Sequence, residues 1–340
     1  MKLTIHEIAK ASNVSIATVS KVLNNREGVS EQVRLKVLQT AERLEYYPYI
    51  KARETGLFRK KAKYIAEVFG NAHHSLIYEL EQGISQVVSK YNYYEVKHFL
   101  SHIEERNIDK VKLFINNLRR DQDIAGLIIL FVKLNDKIIS DLVHHKLFTV
   151  LVNTRSDLAS CVIVDNIKSS YMATEYLIKT GCKKIGIIVS DAENIDVWSD
   201  RIEGYKKALI AHSIKFSPDQ IEYENTFEPY QTKLATKLLL ERNPKLDGIV
   251  FASDWQAYAG IQYLKEKKVA IPDDVSVVGF DDLKFNEFIH PRLTSIKQPM
   301  EVMGQTAMNL LGEMIKKDKI IRRTITLESN IVVRETTRTI

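Results

Sequence analysis

Apolar positions divide the chain into two regimes. Through residue 46 they recur at helical spacing in three short runs. Ile5, Ile8, Ala9 and Ala11 form the first stripe, and Thr4 followed by Glu7 makes a capping box at its start. Ser12-Asn13 breaks it. The tight turn to a second helix needs a residue at positive φ, which glycine and then asparagine tolerate best. Ser15 caps that second helix, predicted to run to about Asn24 with Val19, Val22 and Leu23 inside. Ile16, Ala17, Thr18, Ser20 and Lys21 face outward, and small or hydroxylated outward residues let a helix sit deep in a major groove. Ser30 caps a third helix whose stripe is Val33, Val37, Ala41 and Leu44. From about Lys63 the period changes. Strand-like runs at 64–69, 125–131, 148–153, 162–164, 184–189, 248–252 and 275–280 enclose helical segments at 77–90, 169–180, 201–213, 230–241 and 255–267. Strict alternation of this kind predicts doubly wound parallel sheets, with room for two, and two facing sheets form a cleft outside the carboxyl ends of their strands.

Charge sharpens the division. Residues 1–63 hold 13 Lys and Arg against 6 Glu and no Asp, a charge of +7. The rest holds 36 basic against 37 acidic residues, so the whole excess sits in the first fifth of the chain. That asymmetry points to a polyanion partner for the head alone. No apolar run approaches the length of a membrane span, and the N-terminus lacks the apolar stretch of a secretory signal. Two cysteines, Cys161 and Cys182, make neither a disulfide framework nor a metal spacing, which fits a reducing cytoplasm.

Chemistry-bearing patterns are sparse. His6-Glu7-Ile8-Ala9-Lys10 starts like a zinc-protease helix, but Lys10 stands where the second histidine is needed. His73-His74 and His144-His145 are adjacent pairs, and neighbours on a strand point oppositely. There is no glycine-rich phosphate loop and no nucleophile elbow. The expectation is a non-enzyme without cofactor or metal.

The string Thr4-Ile5-His6-Glu7-Ile8-Ala9-Lys10-Ala11-Ser12-Asn13-Val14-Ser15-Ile16-Ala17-Thr18-Val19-Ser20-Lys21-Val22-Leu23, continued without a gap to Arg53, resembles the head of the lactose-repressor (LacI/GalR) family of bacterial transcription regulators. The resemblance implies that Ser15, Thr18, Ser20 and Asn24 anchor phosphates or the groove edge. It implies that Ile16, Ala17 and Lys21 read bases, with Thr4, Ile5, His6 and Ser30 against the backbone. Lys21 stands where Arg is commonest, and a point donor reads guanine differently from a fork. Tyr46, Ala52 and Thr55 fall in the DNA-contacting linker, where Thr55 replaces the leucine that such hinges press into the minor groove. The basic run Arg59, Lys60, Lys61 and Lys63 is either a solvated linker or a phosphate contact.

The likeness continues more loosely to about Val333, through Val164-Asp165-Asn166, Asp200-Arg201-Ile202-Glu203-Gly204-Tyr205, Pro272 to Asp282 and His290 to Ile296. It implies a body of periplasmic-binding-protein type: a head at 1–46, a hinge linker at 47–62, and two subdomains, one of 63–162 with 293–323 and one of 163–292 with 324–340. Arg201 and Asp281 are then effector contacts gripping vicinal hydroxyls of a sugar, or else an interdomain ion pair. Asp254 is a similar candidate, although Ser253 replaces a common Asn before it. Asp165 touches the ligand or braces the crossover. His74 and Leu76 follow the first strand in a ligand-facing loop, and Trp198 stacks on a sugar or is an ordinary core residue. The whole is expected to be a homodimeric repressor of sugar-utilisation genes. It would read a palindromic operator under control of a small molecule, a sugar or sugar phosphate. A solute-binding receptor for sugar uptake is the alternative.

Overall fold

The computed structural model describes residues 4–23, 26, 28–44, 46, 64–70, 74–100, 108–120, 123–132, 134–190, 196–224 and 228–339. The head is three helices: α1 (Ile5–Ser12), α2 (Ile16–Leu23) and α3 (Glu31–Arg43). Glu7 reaches back to accept from the Thr4 N–H (2.7 Å). Asn13 ends α1 in the left-handed region (φ 53°), as expected of the turn. The Ser15 hydroxyl accepts from the Thr18 N–H (3.1 Å) and so caps α2. Ile8, Ala9, Val19, Val22, Val37 and Ala41 close into a small apolar core.

The body holds two six-stranded sheets. The first takes β1 (Tyr64–Phe69), β2 (Tyr94–Phe99), β3 (Ile124–Leu130), β4 (Phe148–Val152), β5 (Ser160–Val164) and β11 (Thr324–Leu327), in the order β2-β1-β3-β4-β5-β11, all parallel. Helices α4 (His74–Val88) and α11 (Met300–Lys317) cover one face, and α5 (Ile108–Arg120) and α6 (Asp136–His144) the other. The second sheet takes β6 (Ile185–Ser190), β7 (Ile221–Glu224), β8 (Gly248–Phe251), β9 (Ser276–Asp281), β10 (Thr294–Lys297) and β12 (Asn330–Val332). Its order is β7-β6-β8-β9-β10-β12, with only β12 antiparallel. Helices α7 (Asn166–Lys179) and α8 (Asp196–Ala211) cover one face, α9 (Pro229–Arg242) and α10 (Asp254–Glu266) the other. Strands buried on both faces read as continuous apolar runs, which is why period alone located them.

Sheet membership corrects the expected subdomain boundaries at the C-terminal end. Residues 294–297 form β10 of the second sheet, not the first, while 324–327 form β11 of the first, not the second. The chain crosses between halves three times, after β5, between β10 and α11, and between β11 and β12. Each short strand pairs with an edge the pattern of its own residues does not reveal. Helices α5, α6 and α11 and strands β2, β7, β10, β11 and β12 were not among the runs read from periodicity. Among the described residues no helix is long and apolar enough to cross a membrane.

Candidate DNA-reading face and effector cleft

Burying Val19 and Val22 turns the opposite side of α2 outward. Ser15, Ile16, Ala17 and Lys21 are exposed, Thr18 and Ser20 half-buried. Ile16 keeps 42% of its surface in solvent, an unusual place for isoleucine unless something apolar docks there. An open groove of about 530 Å³ runs beside it, lined by Ser15, Ala17, Thr18, Lys21, Gly28 and Ser30. Thr4, His6 and Ser30 are exposed on the same small domain, and Ile5 and Tyr46 pack at the rim of its core. Asn24, Ala52 and Thr55 lie outside the described residues, as does the side chain of His74.

In the body, the second sheet reverses its winding between β6 and β8, which opens a crevice at their carboxyl ends. Arg201 sits there on the second turn of α8, only 3% exposed. Its Nε donates to Asn166 Oδ1 (3.0 Å) and its Nη1 to the carbonyl of Ala252, one residue beyond β8. Its guanidinium carbon stands 3.5 Å from the ring centre of Phe280 and 5.1 Å from that of Trp198. Burial lowers its pKa to about 10, with Asp281, Asp254 and Asp200 pulling the other way, so it stays a cation at neutral pH. Asp281 ends β9 at φ 112°, in the left-handed region, and its carboxylate accepts from the Asp254 backbone N–H. It accepts from Gln298 Nε2 (2.6 Å), and burial raises its pKa while Arg201 draws it back down.

Two side-chain oxygens that follow strands have no donor among the described residues: Oε1 of Gln298, whose Nε2 donates to Asp281, and Oδ1 of Asn153 after β4 of the first sheet. Asn153 follows β4 at φ 60°, at the carboxyl edge of the first sheet. A buried acceptor left without a donor costs about 1–3 kcal/mol, so each is a place for a ligand hydroxyl. Neither residue was singled out from sequence. Asn153 had a signal, since asparagine after a strand favours positive φ; Gln298 had none beyond its position before Pro299.

The other candidates separate. Leu76 lies in the first turn of α4, buried against Ile77 and Leu80 in the first core, so it is a core residue on a helix and not a loop contact. Asp165 caps α7, its Oδ1 accepting from the Lys168 N–H (2.9 Å), which is the bracing alternative. Asp254 is fully buried, its carboxyl group accepting from Ser295, Asn286 and Leu283 and its backbone N–H donating to the Asp281 carboxylate. Trp198 packs on the second subdomain's core, with the Arg201 guanidinium 5.1 Å from its ring centre. Across the cleft, Arg155 of the first half meets Asp200 of the second (3.3 Å). His144 and His145 stand at the end of α6 rather than on a strand, edge to face, and no group of three metal-ligating side chains occurs among the described residues.

A model of bacterial regulatory proteins of the lacI family matches residues 4–49, and one of periplasmic binding protein-like domains matches 174–337. The HTH-type transcriptional regulator RegA of Clostridium saccharobutylicum is 33% identical over 99% of this chain and 100% of its own length. This chain belongs to the LacI family. Catabolite control protein A of Priestia megaterium is 28% identical, again over 99% and 100%. A transcriptional regulator, CelR, solved as a cellobiose complex, superposes with a TM-score of 0.71 at 25% identity, covering 98% of this chain and 99% of its own. These LacI-family relatives are regulators and not enzymes. The chain is accordingly a DNA-binding transcription regulator whose head carries the helix-turn-helix and whose body carries the two-sheet effector fold.

Proposed function

We propose that this regulator is a homodimeric, cytoplasmic repressor of sugar-utilisation genes, released from or held on a palindromic operator by a neutral, hydroxyl-rich small molecule bound between the two sheets. The observation that carries the reading is the burial of both Arg201 and Asp281 near the winding reversal, with Gln298 donating to Asp281, while Oε1 of Gln298 and, after β4, Oδ1 of Asn153 have no donor among the described residues. A cation beside a carboxylate offers a donor and an acceptor to adjacent hydroxyls, and two further acceptors call for O–H donors, which a sugar supplies. In the head, Ile16, Ala17 and Lys21 read base edges while Ser15, Thr18, Ser20 and Ser30 hold phosphates. Asn24, Tyr46, Ala52 and Thr55 extend that contact toward the linker. A dimer places two such weak readers on one site, which multiplies their specificity. The effector acts only through different affinities for the two states of the body.

The test is fluorescence anisotropy on an operator selected with the full-length protein from random duplexes, with D-ribose, D-glucose and cellobiose added in turn. One of these neutral sugars is expected to shift the operator affinity at least tenfold, and Asp281→Asn to lose that shift while still binding DNA. Selection that enriches no duplex, or a response of Asp281→Asn equal to that of the parent, overturns the reading.

A further inference from the structure

Asp254 resembles an effector contact by sequence, yet its side chain accepts only from residues around the turn after β9, while its backbone N–H donates to the Asp281 carboxylate. Oδ1 accepts from the Ser295 hydroxyl (2.6 Å); Oδ2 accepts from the Leu283 N–H (2.8 Å) and from Asn286 Nδ2 (2.8 Å). Those three donors bracket the turn that follows Asp281. That turn is costly: Asp281 (φ 112°) and Asp282 (φ 55°) are consecutive non-glycine residues at positive φ, and such conformations persist only when their surroundings over-determine them. The bracing continues outward. Asp282 N–H donates to Ser295 Oγ (3.1 Å), Arg334 Nη1 to Asp282 Oδ1 (2.7 Å), and the Tyr258 hydroxyl to Asn286 Oδ1 (2.7 Å). Gly279 completes the fit, because a Cβ there would stand 2.2 Å from Asp254 Oδ1.

We propose that Asp254 is a positioning residue for the effector site: by holding the left-handed turn after β9, it sets where the Asp281 carboxylate stands in the cleft. This rests on the reading of Asp281 as an effector contact. A buried carboxyl group with three donors is strongly directional, since each hydrogen bond it loses leaves a buried polar atom without its partner. Replacing it frees Asp281 and Asp282 to relax toward ordinary backbone angles. The Asp281 side chain then swings away from Arg201 and Gln298, with no change at any atom that touches effector.

Hydrogen–deuterium exchange on the full-length protein tests this without any effector. In Asp254→Ala, amides across 282–288 are expected to exchange at least tenfold faster, while β6, β8 and α11 keep their protection. Asp254→Asn, whose single carbonyl oxygen still accepts from Leu283 and Asn286, is expected to restore most of it. Ser295→Ala removes two bracing contacts, to Asp254 and from the Asp282 N–H, but leaves those of Leu283 and Asn286, and serves if the alanine variant does not fold; it is expected to loosen the same segment less. As a second readout, the carboxyl 13C signal of Asp281, assigned by its loss in Asp281→Asn, is expected to titrate closer to an ordinary aspartate in Asp254→Ala. An unchanged 282–288 segment with an unchanged Asp281 titration, or faster exchange spread evenly over the second subdomain in both variants, overturns the proposal. Failure of every sugar to act on the wild type counts instead against the effector reading and leaves these readouts intact.

Discussion

The two halves of the body share one winding and treat charge in opposite ways. In the second, Arg201, Asp254 and Asp281 are buried together, each carboxylate with protein donors and a cation beside them. In the first, Glu67 is fully buried in the middle of β1, and neither of its oxygens has a hydrogen-bond partner among the described residues. Lys97, its register neighbour on β2, is spent on Glu81 (3.3 Å). Burial, reinforced by Glu95 and by the weaker effect of Glu81 and only partly offset by Lys97, lifts the Glu67 pKa to about 8. One half gathers a cation and two hydrogen-bonded carboxyl groups, whose pKa values burial raises, at the carboxyl ends of its strands; the other stores a single proton inside its sheet. A common topology therefore does not distribute function evenly, because ligand chemistry resides in side chains at strand ends and not in the winding.

That contrast can be broken by substitution. Arg201→Met leaves two buried carboxylates without their cation and is expected to cost about 3–5 kcal/mol, read as a lower urea midpoint at pH 7. Glu67→Gln should act with the opposite sign and a pH window. The folded chain keeps the Glu67 proton up to about pH 8, whereas an ordinary glutamate releases it near 4.5. The stability tied to that proton is fully present below 4.5 and is lost as pH rises through 8. Urea unfolding at pH 5, 7 and 9 is expected to show the parent weakening over this range by about 4 kcal/mol, and the Gln variant staying level. A variant that weakens in parallel with the parent would mean that Glu67 is not the group.

Smaller effects should fall equally on both halves, where the folds are alike. Gly304 of α11 meets the Leu80 carbonyl of α4, and Gly204 of α8 meets the Ile167 carbonyl of α7, leaving a Cβ only 2.2 and 2.1 Å of room. Alanine at either is expected to cost about 2–3 kcal/mol by calorimetry, with similar values for both. The smallest effect is that of Arg155→Ala at the half-exposed pair with Asp200, under about 1 kcal/mol, detectable mainly as a shift in small-angle scattering toward a more open cleft.

The head was almost wholly legible because its contacts are local. Thr4 and Glu7, Asn13, Ser15 and the valine stripe of α2 act within a few residues, so cap and period identify each helix. In the body, period located the strands buried on both faces, but β2, whose Glu95, Lys97 and Phe99 face outward or partly outward, carries no such run. Strands β10 and β11 took the reverse of their expected sheets, because a four-residue strand is assigned by the edge it meets. Site residues divided likewise. Leu76 and Asp254 were read from position alone, and the structure turns one into core and the other inward. Gln298 emerged only once the fold brought it against Asp281, and Asn153 only once burial left its side-chain oxygen without a donor among the described residues.

What the sequence determined by itself was the family, the three helices of the head, the alternation of buried strands with helices in the body, and a basic head on a nearly neutral body. These follow from local periodicity, caps and charge, which need no partner from elsewhere in the chain. The tertiary structure alone decided which carboxylates face the cleft, which acceptors lack donors, and which glutamate is buried. Those are properties of residues brought together from 17 to 35 positions apart, such as Gln298 with Asp281 and Arg201 with Asn166, and the dielectric around a charge exists only once the chain has closed over it.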